Sequence, residues 1–180
     1  MKGDRIGGLE MRKFIAIAVV VLGSVAGVAS VGQGAASGAP DSSSDDGSVA
    51  PPKLVRQPTP EAVMAEHVDA LNKCNVDRLM AQYPKTVAIL LPGGVTVEGR
   101  TNVRALFEGF CKPYGAGGLN GITFAAIKSW TVGNTVNVQW VATAPFLAAP
   151  YYGADAYVTH KGLLAAQVTT FDAADLQFVP

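Results

Sequence analysis

Few side chains in this sequence are of a type and spacing that do chemistry. The chain holds two histidines, His67 and His160, two cysteines, Cys74 and Cys111, and one acid, Asp155, in the middle of its late β-rich stretch. His67 falls at helical spacing with Met64, Val68 and Leu71, where an apolar residue is expected. A neutral imidazole there can take or give one proton near physiological pH. It can equally be a core histidine hydrogen-bonded to a carbonyl, and both roles stay open. Asp155 shares strand parity with Tyr157 and Thr159, and alternation alone does not say which face the three take. His67, Asp155 and Tyr157 are thus the weak catalytic candidates. No Cys-x-x-Cys or His-x-x-x-His spacing offers zinc ligands, so neither a metal site nor a cofactor is expected.

These residues need elements to position them. Thr59 is a helix cap, with Pro60 at the first helical position and Glu61 in the first turn. Met64, His67, Val68 and Leu71 then form the inner face, with Glu66, Asp69 and Lys73 turned away. Asn75 caps a second, shorter helix carrying Val76, Leu79, Met80 and Tyr83, and Pro84 ends it. Residues 86–91 and 95–97 read as a hairpin around Pro92-Gly-Gly94. Past Gly99, Thr101 is the expected cap of a third helix with Val103, Leu106, Phe107 and Phe110 inward.

Strands follow. Ile122, Phe124, Ala126, Lys128, Trp130 and Val132 alternate with the residues between them, and Gly133-Asn134 turns into residues 135–144. There Val136, Val138, Trp140, Ala142 and Ala144 form an apolar face; the semi-polar face meets solvent or a second subunit. Residues 154–159 and 163–171 give two more strands around the turn His160-Lys-Gly162. Helices on one face of such a sheet make an α+β cone with an apolar mouth.

The N-terminus reads differently. Lys2, Arg5, Arg12 and Lys13 precede an apolar run over residues 14–29, with small residues after it. That is a secretory signal pattern, assigned to residues 1–30. The alternative is an uncleaved anchor, but the run is short of the roughly 20 residues a spanning helix needs. Membrane association is expected only through this segment, if it stays. Residues 31–57, built from Gly, Ala, Ser, Asp and Pro, are expected to be a disordered tether, leaving 58–180 as the folded domain. The expected location is therefore the cell envelope or outside the cell. In an exported chain Cys74, ending the first helix, and Cys111, ending the third, are expected to pair; two separate buried thiols are the alternative. The chain is 49% hydrophobic with no net formal charge, which leaves no electrostatic footprint for nucleic acid.

The wording HVDALNKCNVDRLMAQYPKTVAILLPGGVTVEGRTNVRALFEGF over residues 67–110, with the closing THKGLLAAQVTTFD, resembles the nuclear transport factor 2-like (NTF2-like) superfamily and, within it, the bacterial SnoaL-like proteins. The pieces that carry it are His67 to Asp77, the Gly99-Arg-Thr-Asn-Val103 helix entry and the final strand pair. The resemblance covers roughly residues 58–178. It implies three helices packed on a strongly curved antiparallel sheet, a pocket, and a homodimer formed through the outer sheet face. Parallel neighbours in the sheet would count against it.

Ketosteroid isomerases of that superfamily carry an Asp base in the first hairpin and a Tyr on the first helix. Here the hairpin reads Ala88-Ile-Leu-Leu-Pro92, with no acid, and the helix position is His67, so proton abstraction beside a carbonyl is not expected. The Arg-flanked aspartates of limonene epoxide hydrolase-like members are not evident. SnoaL-like cyclases rely on an acid in the cone, for which Asp155 is the candidate. Whether the chain is an enzyme stays open. The expected function is binding of a small hydrophobic molecule in a pocket lined by Met64, His67, Tyr83, Phe107, Trp130 and Trp140. The alternative is an isomerase, cyclase or hydrolase of small polyketide-like or terpenoid substrates.

Overall fold

The computed structural model describes residues 51–180. The expected signal segment and residues 31–50 of the expected tether lie outside the described residues.

Helix α1 runs Pro60–Asn72, and the Thr59 hydroxyl accepts the Ala62 N–H at 3.1 Å. It buries Val63, His67 and Ala70 completely, while Met64 and Leu71 pack at the margin. The buried stripe is therefore rotated slightly from the expected one, with His67 common to both. Glu66, Asp69 and Lys73 lie outside, where Lys73 pairs with Asp69 and Arg78 with both acids. Helix α2 (Val76–Met80) is capped by Asn75, which accepts the Arg78 N–H at 3.0 Å. Helix α3 (Arg100–Phe110) starts two residues earlier than expected, with Gly99 rather than Thr101 at its cap. Gly99 has φ 80°, a conformation that favours glycine, and its N–H donates to the Val87 carbonyl at 2.8 Å. The chain thereby passes from strand to helix without a loop.

The strands are β1 (Ala88–Leu91), β2 (Val95–Glu98), β3 (Thr123–Val132), β4 (Thr135–Thr143), β5 (Tyr151–His160) and β6 (Leu163–Thr170). They form one six-stranded sheet in the order β2-β1-β6-β5-β4-β3. Four of its five pairings are antiparallel, but β1 and β6 run parallel, with Ala88, Ile89 and Leu90 opposite Ala166, Gln167 and Val168. The expectation of an all-antiparallel sheet is corrected at this pair. Alternation specifies faces, and tight turns specify direction only for strands they join; β1 and β6 are joined by no turn.

A second correction concerns β3. Its register with β4 shifts between Ala126 and Lys128. One extra residue in a strand reverses the alternation beyond it. Phe124 and Ala126 lie opposite Ala142 and Trp140, whereas past the bulge it is Ser129 and Thr131 that lie opposite Val138 and Val136. Trp130 is thereby turned to the outer face, where it is 47% exposed.

Part of the expected tether is ordered. The Val55 N–H donates to the Ala81 carbonyl at 2.8 Å and the Gln57 N–H to the Gly162 carbonyl at 2.9 Å. Arg100 reaches the carbonyls of both Pro52 and Met80. Residues 52–57 are thus laid against the ends of α2 and of the β5–β6 turn. Cys74 and Cys111 form a disulfide, with Cα atoms 5.4 Å apart across a separation of 37 residues. It ties the C-terminal end of α1 to that of α3. By the chain-entropy relation such a loop stabilises the fold by about 3–4 kcal/mol. Replacing both cysteines by alanine should lower the unfolding free energy in a denaturant titration by about that amount; a change below about 1 kcal/mol would show that the bridge constrains little.

Candidate functional site

The inner face of the sheet can be read from its register. Val97, Ile89, Gln167, Tyr157 and Val136 form one row across β2, β1, β6, β5 and β4, and Thr169, Asp155 and Val138 form the next across β6, β5 and β4. Asp155 therefore shares its face with buried Tyr157 and Thr159 and points toward the helices, which settles the orientation that alternation left open. Trp140 lies over Gly153, where a side-chain carbon would overlap its ring.

Helix α1 lowers His67 onto this face. The ring is fully buried, 5.3 Å from the Tyr157 ring and within 6.0 Å of the Tyr83 and Phe107 rings, centroid to centroid. Its Nδ1 lies 3.1 Å from the Tyr83 hydroxyl, while its Nε2 has no partner among the described residues. Burial pushes the imidazole down to about 3, so it is neutral at physiological pH. Burial, reinforced by the Asp155 charge, holds the Tyr83 phenol well above its ordinary value, so it keeps its proton. The two hydrogen-bonding tautomers differ in cost. If Tyr83 donates to Nδ1, one group is left over, the Nε2–H. If Nδ1–H donates instead, both the Tyr83 proton and the Nε2 lone pair are left over. Since each unmet buried group costs free energy, the first arrangement is favoured.

Asp155 is the second centre. Tyr157 O–H donates to its Oδ2 at 2.7 Å, the Gln167 amide reaches the same oxygen at 3.3 Å, and the Thr169 hydroxyl bonds Oδ1. Burial raises its proton affinity, against the pull of the hydrogen bonds from Thr169, Tyr157 and Gln167. The Trp140 N–H also favours the charged carboxylate, but it has no hydrogen-bond partner among the described residues, and neither has the Gln167 carbonyl oxygen. All the donors on the acid are neutral. Tyr157 is also held well above its ordinary value, by burial first and then by Asp155.

The structure thus brings His67, Tyr83, Phe107, Trp140, Asp155 and Tyr157 to one interior, leaves Met64 at its edge and turns Trp130 away. His160 is exposed at the end of β5. Gln167 and Thr169 complete the site and are absent from the sequence reading. Their signal is two polar residues two apart in a strand otherwise rich in Leu, Ala and Val.

No family model matches the chain, and no curated protein does. Solved structures do. An NTF2-like protein from Cytophaga hutchinsonii aligns with a TM-score of 0.53 at 17% identity, over 67% of this chain and 96% of that one. A putative ketosteroid isomerase from Kribbella flavida gives 0.53 at 16%, over 63% and 77%. A putative polyketide cyclase from Sinorhizobium meliloti gives 0.51 at 13%, over 60% and 93%. The chain has the α+β fold of the NTF2-like superfamily, with its three helices packed on a mixed sheet. That likeness holds with β1 and β6 parallel, so an all-antiparallel sheet is not a condition of it.

The depressed His67 has a consequence for acid stability. Between pH 6.5 and about 3 the unfolded chain takes up a proton on His67 that the folded chain refuses. Its contribution is therefore complete above pH 6.5 and is lost as pH falls toward 3, by roughly 4–5 kcal/mol in all at 1.36 kcal/mol per pH unit. Asp155, shifted up, opposes this with a gain on acidification. Chemical denaturation from pH 7 to pH 4 should show stability falling in the wild type and a flatter profile in His67→Phe; equal slopes would contradict a neutral buried imidazole.

Proposed function

We propose that this is an exported NTF2-like protein that holds a small, largely apolar molecule between its helices and its sheet, and that it works as a homodimer. The observation that carries the binding reading is the set of buried polar atoms without hydrogen-bond partners among the described residues, His67 Nε2, Trp140 Nε1 and Gln167 Oε1, on residues grouped with the Asp155–Tyr157 pair. Buried polar groups are normally satisfied, and a ligand atom satisfies them among aromatic rings that take its apolar body. A putative ketosteroid isomerase and a putative polyketide cyclase among the structural neighbours are consistent with an interior that receives small molecules. Export agrees with the basic-then-apolar N-terminus and with the disulfide. The membrane is reached only through that N-terminus, if it is retained, and no nucleic-acid partner is proposed.

The dimer reading rests on the outer sheet face. Leu90, Val168, Ala156, Asn137 and Trp130 form one row across it in register. Leu90, Trp130, Val132 and Tyr152 are all among its exposed large apolar residues. A second copy covers such a face by apolar burial.

Catalysis is the second reading, favoured by the convergence of Asp155, Tyr157 and His67. A histidine held near 3 is a weak base, so an isomerase, cyclase or hydrolase here would use Asp155 as its base. Native mass spectrometry of the full chain should find a retained small molecule that Trp140→Ala loses; only the bare chain, before and after incubation with terpenoid and polyketide extracts, would contradict binding. Turnover by wild type that Asp155→Asn abolishes would favour the enzyme. Sedimentation should give a dimer that Trp130→Asp converts to monomer, and a monomeric wild type would remove the dimer.

A further inference from the structure

We propose that the bound molecule is uncharged and carries a carbonyl or hydroxyl oxygen, which accepts a hydrogen bond from His67 Nε2–H. This rests on the binding reading above and specifies its chemistry.

Three features of the interior select such a group. The first is the donor itself. With Tyr83 donating to Nδ1, the outward nitrogen of the ring bears hydrogen, and nothing among the described residues receives it. Trp140 Nε1, beside Asp155, is a second such donor, against one unmatched acceptor next to the acid, Gln167 Oε1; the other unmatched acceptor, Gln82 Oε1, is on an amide whose nitrogen donates to the Arg78 carbonyl of α2. The unmet demand is chiefly for an acceptor, and a hydroxyl hydrogen would still find Gln167.

The second feature is charge. Asp155 sits in this interior, and its hydrogen-bond partners are the neutral groups Tyr157, Gln167 and Thr169. The arginines of the helices are engaged elsewhere, Arg78 with Glu66 and Asp69, Arg104 with Asp77 and Glu108, and Arg100 with main-chain carbonyls. A carboxylate or phosphate brought in would face a buried acid that has no cation among its described hydrogen-bond partners.

The third concerns cations. A ligand ammonium would find the acid already surrounded by donors, and the two unmatched N–H groups would oppose it. An uncharged oxygen is what remains.

The test uses four probes of one shape, with binding to the full chain followed by calorimetry: tetralin, 2-tetralone, tetralin-2-carboxylate and protonated 2-aminotetralin. The inference expects 2-tetralone to bind about tenfold more tightly than tetralin, as one hydrogen bond to an otherwise unmet donor allows, and the carboxylate to bind most weakly. His67→Phe should erase the preference for the ketone while keeping tetralin. Should that variant not fold, the wild-type ranking decides alone. Equal affinity for tetralone and tetralin overturns the inference and leaves the binding reading standing. So does a ranking led by the amine, which would make Asp155 the anchor, or by the carboxylate. Failure of all four probes to bind removes the binding reading and this inference together.

Discussion

The hydrogen bond between Tyr83 and His67 is the constraint on which the interior turns. It joins the helix α1 face to the chain just past α2, in a place that water does not reach. Burying an imidazole among Tyr157, Phe107 and Tyr83 is tolerable only in the neutral state and only with one nitrogen satisfied. The phenol does both, since its own proton is held firmly by the same burial. The other nitrogen then becomes a donor directed away from the bond, and the interior acquires a polar point in an aromatic surround.

Asp155 obeys the same rule with the opposite charge. A carboxylate on the inner face of a sheet is costly unless donors are supplied locally, and here they come from its own strand and the next. Tyr157 lies two residues along β5, and Thr169 faces Asp155 across β6 with Gln167 beside it. Register alone brings these groups together. The acid needs no cation, which leaves the two ends of the site distinct: a satisfied acceptor at Asp155 and an unsatisfied donor at His67. The disulfide and Arg100 act at a distance from this chemistry, holding the helix ends and residues 52–57 so that α1 stays over the sheet.

Much of this arrangement was legible in the residues. Thr59 and Asn75 cap the helices they precede in sequence, and the hairpins around Pro92-Gly-Gly94 and Gly133-Asn134 form where turn chemistry places them. His67 could be singled out because a titratable group at an apolar helical position must be explained. What was hidden has a physical reason in each case. The parallel pairing of β1 with β6 joins strands far apart in the chain, beyond the reach of turn rules. The bulge after Ala126 inverts Trp130 without any glycine or proline to announce it. Gln167 and Thr169 gain their meaning only from what stands opposite them, and a single strand does not record its neighbour's register.

The state of the His67 ring tests the account most directly. Long-range proton–nitrogen correlation spectra of the uniformly 15N-labelled protein at pH 5 report both charge and tautomer. The ring is predicted to be neutral with its proton on Nε2 and unchanged on acidification to that pH. A protonated His67 at that pH, or a neutral ring with its proton on Nδ1, would contradict it.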